Sequence, residues 1–303
     1  MEPNSKEHAE VVGVVGLGAM GGRFAIRLLD AGYKVHGTDR TATAAQSLIA
    51  RGLHWQGTPR EVAATADVVI SMVTDDSALE AITTGPDGIL AGLSPRTVYV
   101  DMSSVSPHAS VQAAERVRAA GAHMIDAPVS GSVPQAEQGA LAIIVGGDDA
   151  TFHRVEPLLR HLGQTVTRVG GNGAGVLLKL AINISLAVQT LAFSEGLLVA
   201  EHGGIDPRLA ARVMADSPIG SPMLKARVPL LLDLPDQAWF PIRLMRKDIR
   251  LALEEAQRMG VVLPSATAAA GVLDAADKLG YAGRDLAGLR EVLAKISNEP
   301  AAL

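Results

Sequence analysis

Short apolar runs rich in β-branched residues alternate with segments of helical periodicity through the first half of the chain. Residues 11–15, 33–38, 67–73 and 97–101 read as strands, and 19–31, 41–51, 76–83 and 107–120 as helices. Such alternation predicts a parallel sheet with crossover helices on both faces. A further strand pair, near 122–126 and 140–145, brackets a loop holding Pro128, Gly131 and Pro134. After the glycine cluster of 170–175 the strand signal ends. The stretch 174–202 reads as one long helix stopped by Gly203 and Gly204, with further helices over 207–214, 242–259, 264–279 and 284–296. The expected fold is α/β. A Rossmann-like doubly wound sheet occupies residues 1–172, and an all-α C-terminal domain, joined through the long helix, occupies 173–303.

Composition narrows the chemistry. With 303 residues, 48% of them apolar, the chain can bury a sizeable core. It has no cysteine, which excludes disulfides, thiolate nucleophiles and cysteine-held metal, and fits a reducing, cytoplasmic location. A net charge of −5 offers no basic field for nucleic acid or an anionic membrane. The first ten residues are polar and acidic, with no secretory pattern. The segment 174–200 approaches a membrane span in hydropathy, but Lys179, Asn183 and Gln189 interrupt it. A central lysine alone costs about 2.5–3.5 kcal/mol on insertion, so no membrane partner is expected. The eight histidines form no metal-ligand spacing, and no G-x-S-x-G elbow is present, so neither metal catalysis nor serine hydrolysis is supported.

The run 11–15 feeds directly into Gly16-Leu17-Gly18-Ala19-Met20-Gly21 and then a helical segment. In this G-x-G-x-x-G spacing the first glycine permits the turn, the second lets backbone approach a pyrophosphate, and the third allows close helix–strand packing. The helix start then offers N–H groups to phosphate. About twenty residues on, at the end of the second strand, stands Asp39, placed to bind ribose hydroxyls and repel a 2′-phosphate. It can equally serve as a helix N-cap. The pair Arg40 and Thr41 opposes the first reading, because an arginine there can accommodate that phosphate. NAD is favoured slightly over NADP.

The long helix carries Gly175, Lys179 and Asn183 at four-residue spacing, which stacks them on one face. Gly175 is expected to leave room for a ligand. Apolar neighbours surround Lys179, so the helix should be buried and an ammonium there calls for a reason. Two readings stand: a lysine that snorkels to the surface, or a general acid–base group whose pKa falls through desolvation and a neighbouring nicotinamide cation.

Four motifs in order resemble those of the β-hydroxyacid dehydrogenase family. They are Gly16 to Gly21; Asp126-Ala127-Pro128-Val129-Ser130-Gly131-Ser132; Gly175 through Lys179 to Asn183; and Lys247-Asp248-Ile249-Arg250-Leu251-Ala252. The resemblance implies that the first motif binds the dinucleotide and that Ser130, Gly131 and Ser132 hold the substrate carboxylate. It further implies Lys179 as the catalytic acid–base, Asn183 as a substrate ligand, and Lys247, Ser104, Val73 and Thr74 as cofactor contacts. Ser130 to Ser132 read as a turn whose N–H groups and hydroxyls converge on a carboxylate. Lys247 reads as opening a helix of alternating charge, where a solvated lysine is the default. Ser132 departs from the family's usual second glycine, which puts the transfer of any particular substrate in doubt. Phe24 and Arg27 also depart from the usual residues and should affect packing more than chemistry.

The expected activity is hydride transfer between a nicotinamide and a small carboxylated alcohol or aldehyde. Alternatives are an imine reductase on the same scaffold, which Lys179 disfavours, and a catalytically silent dinucleotide-binding module. A helix of about 27 mostly apolar residues spans about 40 Å, more than a small domain covers alone. A homodimer or homotetramer is therefore expected, as the resemblance also implies.

Overall fold

The alternating first half folds around a sheet whose strands are short and almost wholly buried. The computed structural model describes residues 10–298, so the reading of the first nine residues as a chain start without a secretory signal lies outside the described residues. The chain divides into two units, Met1–Lys179 and Leu180–Leu303.

In the first unit, β1 (Val11–Val15), α1 (Gly21–Asp30), β2 (Lys34–Thr38), α2 (Gln46–Ile49), β3 (His54–Trp55), α3 (Pro59–Thr65) and β4 (Val68–Ser71) lead to α4 (Asp76–Thr83), β5 (Val98–Asp101), α5 (Pro107–Ala119) and β6 (His123–Asp126). Six strands lie in the order β3-β2-β1-β4-β5-β6, all parallel. This is the order of the dinucleotide-binding fold. Then follow β7 (Val129–Ser130), α6 (Val133–Gln138), β8 (Leu141–Gly146), α7 (Asp149–Leu159) and β9 (Gly163–Gly170). Strand β8 runs antiparallel to β6 and β7 and parallel to β9. Phe24 and Leu28 of α1 pack on one face of the sheet with Val12, Val35 and Ile125. Val62 of α3, Leu79 of α4 and Val117 of α5 pack on the other with Val69, Tyr99 and Met124. The sheet is thus doubly wound, as expected.

Several expected elements are corrected. The helix over 41–51 shrinks to a 3-10 turn (Ala42–Ala45) and α2, because only Ala45 and Leu48 find a core to pack on. A helix this short is held by packing rather than propensity. The strand over 67–73 stops at Ser71, so Val73 and Thr74 lie in the loop beyond it. Ser130 belongs to β7, paired with Ala142 of β8, and Ser132 heads α6, so the turn expected at 130–132 is instead a strand end and a helix start joined by Gly131. Gly131 has φ +129, and an added Cβ would lie 2.7 Å from Leu141 Cδ2. Of the family departures, Phe24 is fully buried and Arg27 Nε donates to the His161 carbonyl, both packing roles.

Helix α8 (Ala174–His202) runs out of the first unit into the second, and Gly204 at φ +85 follows its end. It is long and apolar enough to cross a membrane by length and composition alone. One stripe of it is buried in the chain, through Gly175, Val176, Lys179, Leu180, Asn183, Ala187, Leu191 and Leu197. The opposite side, with Leu177, Leu178 and Val199, is exposed, so the expectation of burial all round holds for one face only. The second unit adds α9 (Pro207–Asp216), α10 (Pro222–Leu232), α11 (Ile242–Met259), α12 (Pro264–Lys278) and α13 (Leu289–Asn298). Helix α13 begins later than the 284 expected, because buried Asp285 serves as a hub. Its carboxylate accepts from Trp239 N, Phe240 N, Ala287 N and Arg227 Nη1.

Candidate active site

The three glycines of the first motif have separable causes. Gly16 sits at φ +92, and a Cβ there would lie 2.4 Å from the Met72 carbonyl. A Cβ on Gly21 would lie 1.9 Å from the Gly16 carbonyl, so α1 can pack against the loop only without one. Gly18 is exposed, and a Cβ there would meet nothing within 4 Å. The protein itself therefore demands glycine at positions 16 and 21 but not at 18. A side chain at 18 would instead fill the approach over the helix start, where a pyrophosphate is held in this type of loop. These residues fit a dinucleotide.

The loop is fastened by Asp39, whose Oδ2 accepts the Leu17 amide at 2.8 Å while Oδ1 accepts the Thr41 amide at 3.0 Å. Arg40 is exposed beside it. Asp39, Val73, Thr74 and Ser104 all lie just past the C-terminal ends of β2, β4 and β5, the edge at which open α/β sheets bind ligands. Beneath that edge Asp101, fully buried, ties two strand ends together. Its Oδ1 accepts from Ser71 Oγ and Ser103 Oγ, both at 2.6 Å, and Ser103 Oγ accepts the Val73 amide at 2.9 Å. Burial pushes the Asp101 carboxyl above its ordinary range, against the hydrogen bonds of Ser103 and Ser71. It pushes the Tyr99 phenol up as well.

Asp126 ends β6 in register with Asp101. Its Oδ1 accepts the Gly173 amide at 2.7 Å and its Oδ2 the Val176 amide at 3.0 Å. Burial raises its pKa to about 6, opposed by those two N–H donors. Gly175 needs correcting. A Cβ there would lie 2.5 Å from the Ile144 carbonyl and 2.7 Å from Asp126 Oδ2, so its missing side chain makes room for protein, not for a ligand. Four residues on, Lys179 is 7% exposed, which excludes the snorkelling reading.

In the second unit, Asn183 is fully buried and its Nδ2 donates to Asp248 Oδ2 at 2.5 Å. Asp248 Oδ1 lies 2.7 Å from Lys247 Nζ, an ion pair by distance although not aligned as a hydrogen bond. Asn183 Oδ1 is buried with no hydrogen-bond partner among the described residues. Lys247 does not open its helix. It lies in the second turn of α11, with its side chain 13% exposed, because Asp248 draws it inward.

Residues 11–171 match the profile described as the NAD binding domain of 6-phosphogluconate dehydrogenase. Residues 173–293 match that described as NAD-binding of NADP-dependent 3-hydroxyisobutyrate dehydrogenase. The 2-hydroxy-3-oxopropionate reductase of Escherichia coli is 37% identical over 255 residues, covering 84% of this chain and 87% of that one. The chain belongs to the 3-hydroxyisobutyrate dehydrogenase family. A 3-hydroxyisobutyrate dehydrogenase of Mycobacterium tuberculosis, solved with L-serine, superposes with a TM-score of 0.83 at 28% identity, over 94% of this chain and 99% of that one. An imine reductase of Myxococcus stipitatus matches at 19% identity and a TM-score of 0.64, over 94% of this chain and all of that one, which shows a common fold alone.

Within this family fold, the structure gathers the Gly16–Gly21 loop, Asp39, Val73, Thr74 and Ser104 along one sheet edge, and places Lys179 and Asn183 on the same buried stripe of α8. Of the expected carboxylate-binding donors, the Ser132 amide is already spoken for, since it donates to Gln135 Oε1 at 2.9 Å. Sequence reading gave no role to Asp248 or Asp126. Asp126 lies between Ile125 and Ala127 in a strand, and Asp248 shares a helix face with Leu244, Met245, Leu251 and Ala252; an acid on an apolar face was the signal for both.

Proposed function

We propose that this chain moves a hydride between bound NAD or NADP and a small β-hydroxyacid or semialdehyde, with Lys179 as the general acid–base. Its family supplies the reaction class. The observation that carries the assignment of residues is the buried pair on α8: an amine at Lys179 and, one turn on, an Asn183 amide whose N–H is pinned by Asp248 and whose Oδ1 has no hydrogen-bond partner among the described residues. A buried carbonyl without a partner costs about 1–3 kcal/mol, a cost that a substrate hydroxyl would relieve.

The nicotinamide supplies or accepts the hydride when bound. In reduction the Lys179 ammonium stabilises the alkoxide oxygen and protonates it, and in oxidation the neutral amine takes that proton. Asn183 Oδ1 accepts the substrate hydroxyl and fixes its direction. The Ser130 hydroxyl and the Gly131 amide hold the substrate carboxylate. Ser132 contributes its hydroxyl only, because its amide is engaged. Lys247, carried over by resemblance, stands toward the cofactor with its charge balanced by Asp248. Asp39 favours NAD slightly, with Arg40 as its counterweight. The exposed side of α8 supports a homodimer, or a homotetramer built from it.

The imine-reductase alternative has less support, since its solved examples share the fold alone. A silent dinucleotide-binding module is disfavoured by the desolvation cost of a buried amine kept without use. The test is a panel of semialdehydes, keto acids and hydroxyacids assayed separately with the NAD and NADP couples, on the wild type and on Lys179→Met. Turnover of at least one carboxylated substrate, cut about 10²- to 10⁴-fold in the variant, is expected. Undiminished turnover in Lys179→Met would refute the lysine's role.

A further inference from the structure

We propose that Asp126 is a positioning residue for Lys179, holding the first turn of α8 against the end of β6; this rests on the reading of Lys179 as the acid–base group. The first turn of any helix presents N–H groups with no partner inside the helix. A local Ser, Thr, Asp or Asn usually receives them, but the residue before α8 is Gly173, which has no side chain to offer. Asp126 takes that place from across the sheet, with Oδ1 on Gly173 N and Oδ2 on Val176 N.

The chain makes room for this arrangement at two further positions. A Cβ on Gly146 would lie 2.6 Å from Asp126 Oδ1, and one on Gly175 would lie 2.7 Å from Oδ2. Asn172 Nδ2 adds a second tether, donating to the Met124 carbonyl of β6 at 2.8 Å. The entry of α8 is therefore fixed to one strand at several points. Lys179 follows Val176 by three residues, about 4.5 Å along the helix axis, so a shift of the first turn passes to its amine with little loss.

A cap alone would not need this route. By drawing it from Asp126, the chain ties the acid–base helix to the segment that reaches Ser130 four residues later. The group that protonates substrate and the group that holds its carboxylate then share one anchor. Misplacing reacting groups by about 1 Å can cost about 10²-fold in rate.

The test is a double-mutant cycle in the full chain with Asp126→Asn and Lys179→Met, reading kcat, KM and the dissociation constant of the reduced cofactor by fluorescence. Asp126→Asn should lower kcat about 10- to 100-fold, with KM and cofactor affinity within about twofold. In the Lys179→Met background it should lower the residual rate no further, since a positioning residue has nothing left to position. Should Asp126→Asn not fold, Asn172→Ala, which keeps the carboxylate and removes only the second tether of the helix start to β6, enters the same cycle. An equal loss in both backgrounds, an unchanged kcat in Asp126→Asn, or failure of both substitutions to fold overturns the proposal. Full turnover in Lys179→Met alone would instead sink the acid–base reading beneath it.

Discussion

Asn183 Nδ2 donates to Asp248 Oδ2 at 2.5 Å, joining α8 to α11 across 65 residues of sequence. The same carboxylate neutralises Lys247, whose Nζ lies 2.7 Å from Oδ1. Asp248→Ala would leave the buried Asn183 amide without its acceptor and remove the charge that balances Lys247. Breaking a buried charged pair costs about 3–5 kcal/mol. A clear drop in Tm is expected, with KM for the carboxylated substrate raised more than KM for the cofactor. Melting curves and steady-state kinetics check this, and an unchanged Tm would show that Asp248 does not hold the pair.

Asp39 has two tasks, fastening Leu17 and facing the place where the adenosine ribose is expected. Asp39→Asn keeps one acceptor for the loop and removes the charge that repels a 2′-phosphate. The ratio of kcat/KM for NADPH over NADH should rise about tenfold or more, and Arg40→Ala should move it the other way. If neither substitution moves the ratio, Asp39 serves only to brace the glycine loop.

The Asp126 carboxyl, raised by burial from 3.8 to about 6, makes stability depend on pH with an unusual sign. A folded-state pKa above the unfolded one favours folding while the group is protonated. Its contribution is present below pH 4 and lost as pH climbs through 6. At about 1.36 kcal/mol per tenfold change in proton affinity, the difference is about 3 kcal/mol. Urea melts from pH 4 to 7 should show wild-type stability falling relative to Asp126→Asn as pH rises. A constant or growing wild-type advantage would contradict the raised pKa.

The outward side of α8 exposes Leu177, Leu178 and Val199, with Val199 75% accessible. Coverage by a second copy predicts a mass by light scattering of at least twice the 31.4 kDa chain. Leu178→Glu should shift the population toward monomer at low concentration. A monomeric mass for the wild type would overturn the assembly.

Much of the fold was legible because its causes are local. Strand and helix periods, the Gly16–Gly21 turn and the four-residue stacking of Lys179 on Asn183 all follow from repeat distances along the chain. The segment after β8 was harder to read. Helix α7 carries Pro157 in its interior, and β9 is mostly exposed, with only Gly163 and Val166 buried, so it lacks the period of a half-buried strand. Helix α13 started late because Asp285 is held by partners more than forty residues away.

Taken alone, the sequence determined the dinucleotide fold and the long helix, because backbone geometry and hydrophobic period act between near neighbours. The acid–base role of its lysine came from resemblance to a family, spacing having left two readings open. Only tertiary structure decided what surrounds them: Asp126 as the distant cap of α8, Asp248 as the partner of Asn183, Asp39 as the brace of Leu17, and Gly175 as space for a carboxylate. Hydrogen bonds between remote residues depend on strand register and on how helices dock, and neither is written in the spacing of residues along one segment.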